Sequence, residues 1–422
     1  MEVGMDFDYI DAEDSIFDTA RIFSRRGGGI GEGFGDGVIL CTRKKLYEEA
    51  IALSRYIKRT LSEGECSVLL VGGGMYDTAV LTVACSRIGC PLTLSEYTPN
   101  VELSCGLMIA DHSPSDSFIN YKTFLSIGEL NAVILGELSG EAEADGDIRR
   151  EGFSVNFLNA SDGSVESYFE QMAVRTAHRY AKAEGIFPWD VCLSTLHPCS
   201  REGFFGGLLA PMLYAKKWFY CGSFGNVFEE MRLCAPTKLL CEPMLAERIS
   251  EEMERLRTVP SAWHKGRGSH PIRLKLDKLF PKTRAALRRL KMIYVHYPFG
   301  GRLVSVAALG ELSESTAESL ADFGVLSASM IGIKRCALVG FRRYGDKVGR
   351  WRLPKGLFAD MCDVGAGGIG RITFYGDGLS TGEVKGHTLK AGELRREHAI
   401  APLLVSDIWG FSSSKGLFYA QK

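Results

Sequence analysis

The spacing of apolar residues marks the first long element of the chain. Between residues 46 and 61, apolar side chains recur every three or four positions, and charged side chains fill many of the positions between them. This period predicts an amphipathic α-helix that buries one face. The predicted buried face holds Leu46, Ala50, Leu53, Ile57 and Leu61. The predicted solvent face holds Glu48, Glu49, Arg55, Lys58 and Arg59.

The next segment has the pattern of a strand, a helix and a second strand. Residues 67–71 and 91–94 are short apolar runs, and a helical stretch over 76–88 lies between them. Three glycines at 72–74 provide the turn after the first strand. Buried strands joined by a helix pair in parallel, so this unit predicts an α/β protein.

The rest of the chain continues this pattern and then changes. Helical spacing over 165–184 predicts a helix that Gly185 ends, and α/β segments follow over 190–341. From residue 350 onward the segments are short, strand-like and separated by glycine. The prediction is two αβ subdomains with largely parallel sheets, followed by a small C-terminal β subdomain. The predicted boundaries are 1–37 for an acidic leader and glycine-rich loop, 38–189 and 190–349 for the two αβ subdomains, and 350–422 for the β subdomain.

Two segments lack a regular period. Residues 27–37 are rich in glycine but contain no G-x-G-x-x-G motif, and the predicted strand 38–41 follows them instead of preceding them. We expect a flexible surface loop there. Residues 138–151 are rich in Asp and Glu, which predicts an exposed acidic connector.

Composition narrows the range of functions. Among 422 residues, 50 Lys and Arg nearly balance 51 Asp and Glu, which argues against a protein held on nucleic acid by overall charge. No apolar run approaches the roughly 20 residues that span a bilayer. The first eighteen residues are acidic and lack the features of a secretory signal. The 12 cysteines form no C-x-x-C pair, which predicts reduced thiols, no zinc site and a cytoplasmic protein.

The glycine turn at 72–74 also suggests a nucleotide site. A strand precedes it, a helix follows it, and Glu96 lies where a ribose-binding carboxylate is expected. Asp77, however, occupies the third glycine position and brings a negative charge towards a pyrophosphate. A Rossmann-type dinucleotide enzyme is therefore one alternative, and a plain tight turn is the other.

Several short motifs occur in order along residues 38–422. The longest, over 190–211, matches D-V-x-L-S-x-L-P-L-F-H-x-x-G and the helix after it without a gap. Residues 406–407 and 416–419 match T-G-D-L and G-x-L-Y-I-x-G-R. Further matches lie at 46–50, 79–92, 235–237 and 242–248. Together these motifs resemble the N-terminal domain of the adenylate-forming superfamily, which includes acyl-CoA synthetases and the adenylation domains of peptide synthetases.

The resemblance implies an ATP site in which a carboxylate is activated to an acyl-adenylate. The family's phosphate loop T-S-G-T-T-G-x-P-K falls on 158–166, where one glycine and two hydroxyls remain. Its Y-G-x-T-E motif falls on 331–335, where the glycine remains. Asp407 matches the family's ribose-binding aspartate. We expect a vestigial ATP or AMP site with no catalytic residue and no metal ligand. Its predicted residues are Asp407, Gly163, Ser161 and Gly332.

The same motifs lack the residues that bind the phosphates and the Mg²⁺ ion in the family. Glu166 replaces the phosphate-loop lysine and Asp162 adds a second carboxylate. Like charges about 4 Å apart repel by roughly 1–4 kcal/mol. Lys334 and Arg335 replace the threonine and the Mg²⁺-binding glutamate, and cations repel Mg²⁺. A local alternative for the loop is a helix-entry turn capped by Ser164.

These losses predict a degenerate enzyme. The family's C-terminal domain, with its catalytic lysine, would follow residue 422. We therefore expect an acyl-CoA synthetase-like scaffold without a cofactor, which binds an acyl or aryl carboxylate or a partner. The first alternative is a working ligase that uses ATP and Mg²⁺, takes its C-terminal domain from another polypeptide and uses Lys334 and Arg335 on phosphate. The dinucleotide enzyme is the second alternative.

Two further features bear on partners and chemistry. Residues 334–355 form a basic segment in which Asp346 is the sole carboxylate. Its cations are Lys334, Arg335, Arg342, Arg343, Lys347, Arg350, Arg352 and Lys355. It is a predicted docking surface for an acidic carrier protein or a separate C-terminal domain, and the alternative is an exposed loop. The family's motif histidine falls on Ser200, and we expect His197 to be an ordinary satisfied or surface histidine.

Overall fold

The computed structural model describes most of the chain. The described residues are 15–25, 27–34, 37–61, 67–99, 102–113, 119–139, 152–159, 163–223, 225–258, 286–289, 292–333, 335–347, 350–362, 370–376, 379, 383–384, 387–388, 394–396, 399–401, 404–413 and 417–420. The helices are α1 (Ile16–Ser24), α2 (Arg43–Thr60), α3 (Met75–Ile88), α4 (Ile127–Ser139), α5 (Glu170–Glu184), a π-helix (Gly203–Leu209), α6 (Ala210–Tyr214), α7 (Val227–Cys234), α8 (Pro243–Thr258), α9 (Ile293–His296), a 3₁₀ turn (Tyr297–Phe299) and α10 (Glu314–Asp322).

The strands alternate with these helices as far as α10 and dominate after it. They are β1 (Gly29–Phe34), β2 (Gly37–Thr42), β3 (Val68–Val71), β4 (Leu92–Ser95), β5 (Leu103–Ala110), β6 (Ile119–Ser126), β7 (Ser154–Leu158), β8 (Val165–Phe169), β9 (Val191–Ser194), β10 (Lys217–Tyr220), β11 (Lys238–Cys241), β12 (Ser305–Leu309), β13 (Leu326–Ile333), β14 (Cys336–Arg343), β15 (Arg350–Arg352), β16 (Leu357–Cys362), β17 (Gly370–Gly376), β18 (Glu383–Val384), β19 (His387–Thr388), β20 (Leu394–Arg396), β21 (Ala399–Ala401), β22 (Leu404–Ser413) and β23 (Leu417–Ala420).

A six-stranded sheet is formed by β3 to β8. Its order is β6-β5-β3-β4-β7-β8, and all neighbours are parallel except β7 and β8. The predicted strand–helix–strand unit is confirmed as β3, α3 and β4, with Val68 opposite Leu92. Gly89 ends α3 in the left-handed conformation (φ 66°), which glycine adopts without a Cβ clash.

A second sheet combines parallel and antiparallel parts. The order of its described strands is β16-β17-β22-β23-β15-β14-β13-β12-β11-β9-β10-β1-β2. From β1 through β10, β9, β11 and β12 to β13 the neighbours are parallel, whereas β2 and the pairs from β14 onward are antiparallel. The predicted class, with largely parallel sheets and an antiparallel C-terminal part, is confirmed. The subdomain boundaries stay predictions.

The glycine-rich segment is a strand and not the predicted surface loop. It forms β1, which pairs with β10 on one side and β2 on the other. A Cβ at Gly28 would lie 2.0 Å from the carbonyl oxygen of Lys216, and a Cβ at Gly29 would lie 2.1 Å from that of Cys41. Glycine is needed here for close backbone approach rather than for flexibility. Of the predicted acidic leader, residues 1–14 lie outside the described residues.

The helix predicted over 165–184 begins at residue 170. Its expected first turn is strand β8, which runs antiparallel to β7. The segment before it is thus a hairpin turn, and the expectation of a helix entry capped by Ser164 is wrong. Backbone pairing with β7 outweighs the helical spacing of Val165 and Phe169. Gly185 ends α5 in the left-handed conformation (φ 68°), as predicted.

The acidic connector is only partly described. Its first two residues belong to helix α4, which the sequence pattern did not predict. The rest of the connector, residues 140–151, lies outside the described residues.

One apolar core joins the two sheets. It includes Leu70 and Leu94 of the six-stranded sheet and Trp218 and Met330 of the second sheet, with helices between them. The predicted apolar face of α2 is buried along its whole length. Glu49, predicted for the solvent face, is only 5% exposed, which corrects that assignment. Its burial raises the pKa of the carboxyl group, although Lys45 lies 3.5 Å away.

Reduced thiols are found in the described part of the chain. Ten cysteines there are free, and nine of these are buried. Burial raises the pKa of the Cys41 and Cys105 thiols to about 11, so both are protonated at neutral pH. None of the described helices is long and apolar enough to cross a bilayer.

Candidate functional site

Three segments of the chain meet at the side chain of Arg201. Its Nη1 donates to Glu166 Oε2 at 2.8 Å and to the backbone oxygen of Ile333 at 2.7 Å. Its Nε donates to Glu202 Oε1 at 2.9 Å, and its Nη2 donates to the same oxygen. We call Arg201, Glu166 and Glu202 the Arg201 cluster. The three side chains are 14%, 14% and 17% exposed, so the cluster is largely desolvated.

The β7–β8 hairpin supplies Glu166. The backbone N–H of Asn159 donates to Ser164 oxygen, and that of Gly163 donates to Asn159 oxygen, each at 2.9 Å. Gly163 has a φ of 67°, which favours glycine at this position. Glu166 lies opposite Phe157 in the hairpin, and the alternation of the strand turns it towards Arg201.

The segment after β9 supplies Arg201 and Glu202. Ser200 Oγ accepts the backbone N–H of Gly203 at 3.0 Å and donates to His197 oxygen at 2.6 Å. A Cβ at Gly203 would lie 2.0 Å from that same oxygen, so the turn requires glycine. The two charged residues stand directly before the π-helix, a rare form that is often found at functional sites.

The β13–β14 hairpin closes the site from the second sheet. A Cβ at Gly332 would lie 2.4 Å from Ala337 oxygen and 3.0 Å from Glu202 Oε1. Glycine therefore allows the hairpin to approach both its own partner strand and the cluster. Arg335, in the turn, is a non-glycine residue with a φ of 70°. Strained backbone of this kind clusters at functional sites.

Burial and charge act in opposite directions on Arg201. Burial disfavours its charged form, but the carboxylate of Glu202, with Tyr168 and Glu166, outweighs burial and holds the pKa of Arg201 well above its usual value. Glu96 lies nearby, and burial followed by the charges of Glu202 and Glu242 raises its pKa. The guanidinium is thus already paired with carboxylates of its own chain, so an anion that is added without displacing one of them meets uncompensated negative charge.

The structure unites part of the predicted site. Gly163 and Gly332 lie on the two hairpins that meet at the Arg201 cluster. Ser161 lies outside the described residues. Asp407 lies in β22, four places from β13 in the sheet order, where the register with β17 is irregular. Its side chain is outside the described part, so its ribose role stays a prediction.

One electrostatic expectation changes. Glu166 was expected to present an unpaired negative charge at the phosphate loop, but it is ion-paired with Arg201. Asp162 and Lys334 lie outside the described residues. Arg201 was not among the predicted site residues, although the Arg201–Glu202 pair stands out as two charges directly before the apolar run 203–213.

The glycine turn at 72–74 does not have the chemistry of a dinucleotide site. The buried carboxyl group of Asp77 is hydrogen-bonded to the Gly74 backbone at the start of α3. Its pKa is raised by burial first and by Asp111 in addition. A side chain therefore occupies the helix N-terminus where a pyrophosphate would bind. The two-sheet architecture also departs from a single doubly wound sheet.

His197 is an internally bonded histidine, as expected. Its Nδ1 accepts the backbone N–H of Cys199 at 3.1 Å, and its ring packs edge-on against Tyr220. Burial lowers the pKa of His197, which favours its neutral form. These contacts give it an orienting role in the turn.

Several cations of the basic segment are engaged within the fold. Arg343 Nη2 donates to Lys182 oxygen at 2.9 Å, at the C-terminal end of α5. Arg342 lies 3.2 Å from Glu311, and Arg352 is ion-paired with Asp346. These side chains serve the packing of β14 and β15. The docking role stays a prediction for the exposed Lys347 and Lys355.

The described residues contain no side-chain arrangement that fits Mg²⁺. No group of three or more His, Cys, Asp or Glu side chains in the described ranges could hold a metal ion. Arg335 stands where the resemblance places the metal-binding glutamate, and a guanidinium does not ligate a hard cation.

The comparisons with known proteins concern the fold. No protein-family model and no curated protein sequence matches this chain. The solved structure of VinN has 14% sequence identity and a TM-score of 0.70, and the match covers 97% of this chain and 99% of VinN. The anthranilate CoA ligase AuaEII, in complex with anthranoyl-AMP, has 13% identity and a TM-score of 0.65 over 97% of this chain and 77% of that one. The N-terminal domain of FACL13 from Mycobacterium tuberculosis has 11% identity and a TM-score of 0.64 over 97% and 100%.

Proposed function

We propose that this chain, which has the fold of the N-terminal domain of adenylate-forming enzymes, binds an acyl or aryl carboxylate without converting it to an adenylate. The fold is shared with adenylation domains and with acyl-CoA and aryl-CoA ligases. At the identities found, the likeness extends to the fold alone, so the function is argued from the residues of this chain.

The Arg201 cluster is the observation that carries the proposal. The two hairpins that the resemblance assigns to ATP phosphates are bridged here by a guanidinium with two carboxylates of its own. Catalysis of phosphoryl and adenylyl transfer needs donors and cations aimed at phosphate oxygens. At this position the lysine of the family loop is Glu166, and its carboxylate repels a triphosphate.

The carboxylate ligand is proposed from the similar structures. The similar solved structures include VinN with L-aspartate and AuaEII with anthranoyl-AMP. Both ligands derive from small carboxylic acids, which makes an acyl or aryl acid the ligand class for this scaffold. Docking of an acidic carrier protein at the exposed lysines of the basic segment is part of the same proposal.

The test is ATP–pyrophosphate exchange over a panel of aliphatic, aromatic and amino acids. We expect no exchange above that of a sample without protein, while an adenylating enzyme of the same fold exchanges in parallel. Calorimetric titration with the same acids is expected to show binding by at least one of them. Exchange by this polypeptide alone would contradict the proposal, and so would the absence of binding by every acid.

A working ligase is the second candidate function. The complex of AuaEII with an acyl-adenylate favours it, because the same fold there holds the activated product. In this case exchange would appear when a separate C-terminal domain of the same superfamily is added. Exchange that depends on the added domain would favour the ligase over the scaffold.

A further inference from the structure

We infer that Arg201 is the anion-recognition residue of this site and that Glu166 is its resident counter-ion, so that an external oxyanion binds by taking the place of the Glu166 carboxylate. The inference rests on the proposed function in that it concerns the same site. It adds the group that recognises the ligand and the side chain that competes with it.

The two carboxylates on Arg201 are held differently. Glu202 is adjacent in the chain, and one of its oxygens accepts from both Nε and Nη2 of the guanidinium. Glu166 accepts a single hydrogen bond from the guanidinium, through Nη1, and a longer one of 3.5 Å from the hydroxyl of Tyr168. The guanidinium of Arg201 therefore makes two hydrogen bonds to Glu202, its neighbour in the chain. It makes one hydrogen bond to Glu166, which lies in the other sheet. Glu166 is the partner that exchanges.

The strand that carries Glu166 favours this exchange. Among the described strands, β8 lies at the edge of the six-stranded sheet and pairs with β7 alone. Its outward side chains include Val165 and Phe169, which are 38% and 45% exposed. The strand therefore has less packing to lose than a central strand when Glu166 leaves the guanidinium.

Exchange leaves a site with balanced charge. With Glu166 swung into solvent, Arg201 and Glu202 sum to zero and one N–H of Nη1 is open, while its other donation goes to Ile333 oxygen. The hydroxyl of Tyr168, now 3.5 Å from Glu166 Oε2, stands beside the same position. A single oxyanion with one or two oxygens fits these donors. A triphosphate brings several negative charges to a site from which only one negative charge, that of Glu166, has been displaced.

The ligand class is thus a small-molecule oxyanion, either a carboxylate or a single phosphate. Benzoate and inorganic phosphate are the two probes, and each is titrated by isothermal calorimetry into the full chain. The wild type is compared with Glu166→Gln, which removes the charge of the competing side chain and keeps its shape. Glu229→Gln, on an exposed position of α7, is the matched control.

We expect Glu166→Gln to bind a probe at least tenfold more tightly than the wild type, because one competing charge-assisted hydrogen bond is removed. The control is expected to bind like the wild type. Tighter binding of benzoate identifies the carboxylate as the ligand group, and tighter binding of phosphate identifies the phosphate. An unchanged affinity of Glu166→Gln for both probes would overturn the inference.

The dependence on Arg201 separates recognition from a general change in charge. In the double variant Glu166→Gln/Arg201→Lys the positive charge remains but the forked donor geometry is lost, and the tenfold gain is expected to disappear. A gain that persists in the double variant would overturn the inference. Glu166→Asp, which keeps the charge on a shorter side chain, is expected to show a smaller gain and serves if Glu166→Gln does not fold. These outcomes do not depend on pyrophosphate exchange, which tests the proposed function separately.

Discussion

At the scale of single residues, buried charged side chains occur near both ends of strand β9. Arg201 and Glu202 follow its C-terminal end. Glu184 and Asp190 precede its N-terminal end, and Lys238 lies at the start of the neighbouring strand β11. Asp190 accepts from the backbone N–H of Phe187 at 2.9 Å and from Thr237 Oγ1 at 2.8 Å. In contrast, Glu184 Oε1 is buried without a hydrogen-bond partner among the described atoms. Burial raises the pKa of Glu184 to about 8, against the opposing charge of Lys238.

This pKa predicts a pH dependence of stability. The folded chain holds a proton on Glu184 up to about pH 8, whereas the unfolded chain releases it near the usual value of 4.5. The contribution of Glu184 to the free energy of unfolding therefore falls as the pH rises between these values, by about 1.4 kcal/mol per pH unit. In Glu184→Gln this loss is absent. Urea unfolding at pH 5.5 and 7.5 is expected to show the variant gaining stability relative to the wild type as the pH rises.

The control for this prediction is Glu229→Gln, because that side chain is exposed. Its stability relative to the wild type is expected to be the same at both pH values. A difference between Glu184→Gln and the wild type that does not vary with pH would contradict the protonated state of Glu184 in the folded chain.

At the scale of elements, two hairpins from different sheets form the candidate site. Each depends on a glycine for a different reason. Gly163 has a positive φ, whereas Gly332 has an ordinary backbone and no room for a Cβ beside Ala337 and Glu202. The site is thus built by the close approach of β8, the turn after β9 and β13. Arg201 then joins the two hairpins, because its guanidinium donates to Glu166 of one and to the backbone oxygen of Ile333 of the other.

Gly332→Ala is expected to destabilise the chain by about 1–3 kcal/mol, because the added methyl group clashes with backbone that cannot move independently. The free energy of unfolding in urea measures this effect. Gly136→Ala is the matched control, because Gly136 lies in helix α4 with nothing within 4 Å of its would-be Cβ. That control is expected to stabilise by roughly 0.5–1 kcal/mol. Equal effects of the two variants would contradict the close approach at Gly332.

At the scale of the whole molecule, one core holds the two sheets together beneath the site. Phe205 packs edge-on against Phe157 at 5.4 Å and Tyr168 at 4.8 Å between ring centroids. Phe157 and Tyr168 belong to the hairpin that supplies Glu166, and Phe205 belongs to the π-helix that follows Arg201. The apolar packing and the ion pairs therefore connect the same elements.

Phe205→Ala is expected to lower the free energy of unfolding by about 3–5 kcal/mol, because a buried aromatic ring leaves a cavity. The variant Phe358→Ala serves as the control of the same residue type. Phe358 is 54% exposed and stacks only on one side against Tyr375, so its loss is expected to cost less than about 1.5 kcal/mol. Similar losses for the two variants would contradict a shared core at Phe205.

Several helices and the first parallel strands were accessible from local patterns. The face of α2, the β3–α3–β4 unit and the stop of α5 at Gly185 follow from spacing and from glycine chemistry. Strand β8 and strand β1 were not accessible, because each is decided by a pairing partner far away in the chain. Lys216, which needs a glycine opposite its carbonyl group, is 188 positions from Gly28, and no local pattern reports that contact.

By itself, the sequence determined the α/β class, part of the order of the elements and the motifs that carry the resemblance, because periodicity, glycine positions and residue identity are local properties. It also determined that Glu166 and Arg335 stand where the family has a lysine and a glutamate. Only the tertiary structure decided that Glu166 faces Arg201. Charges on residues of two different sheets compensate each other only if the packing of the sheets brings their side chains within about 3 Å, and this packing is a property of the tertiary structure. The carboxylates of Glu166 and Glu202, which look unpaired in the sequence, are therefore ion-paired with Arg201 in the structure.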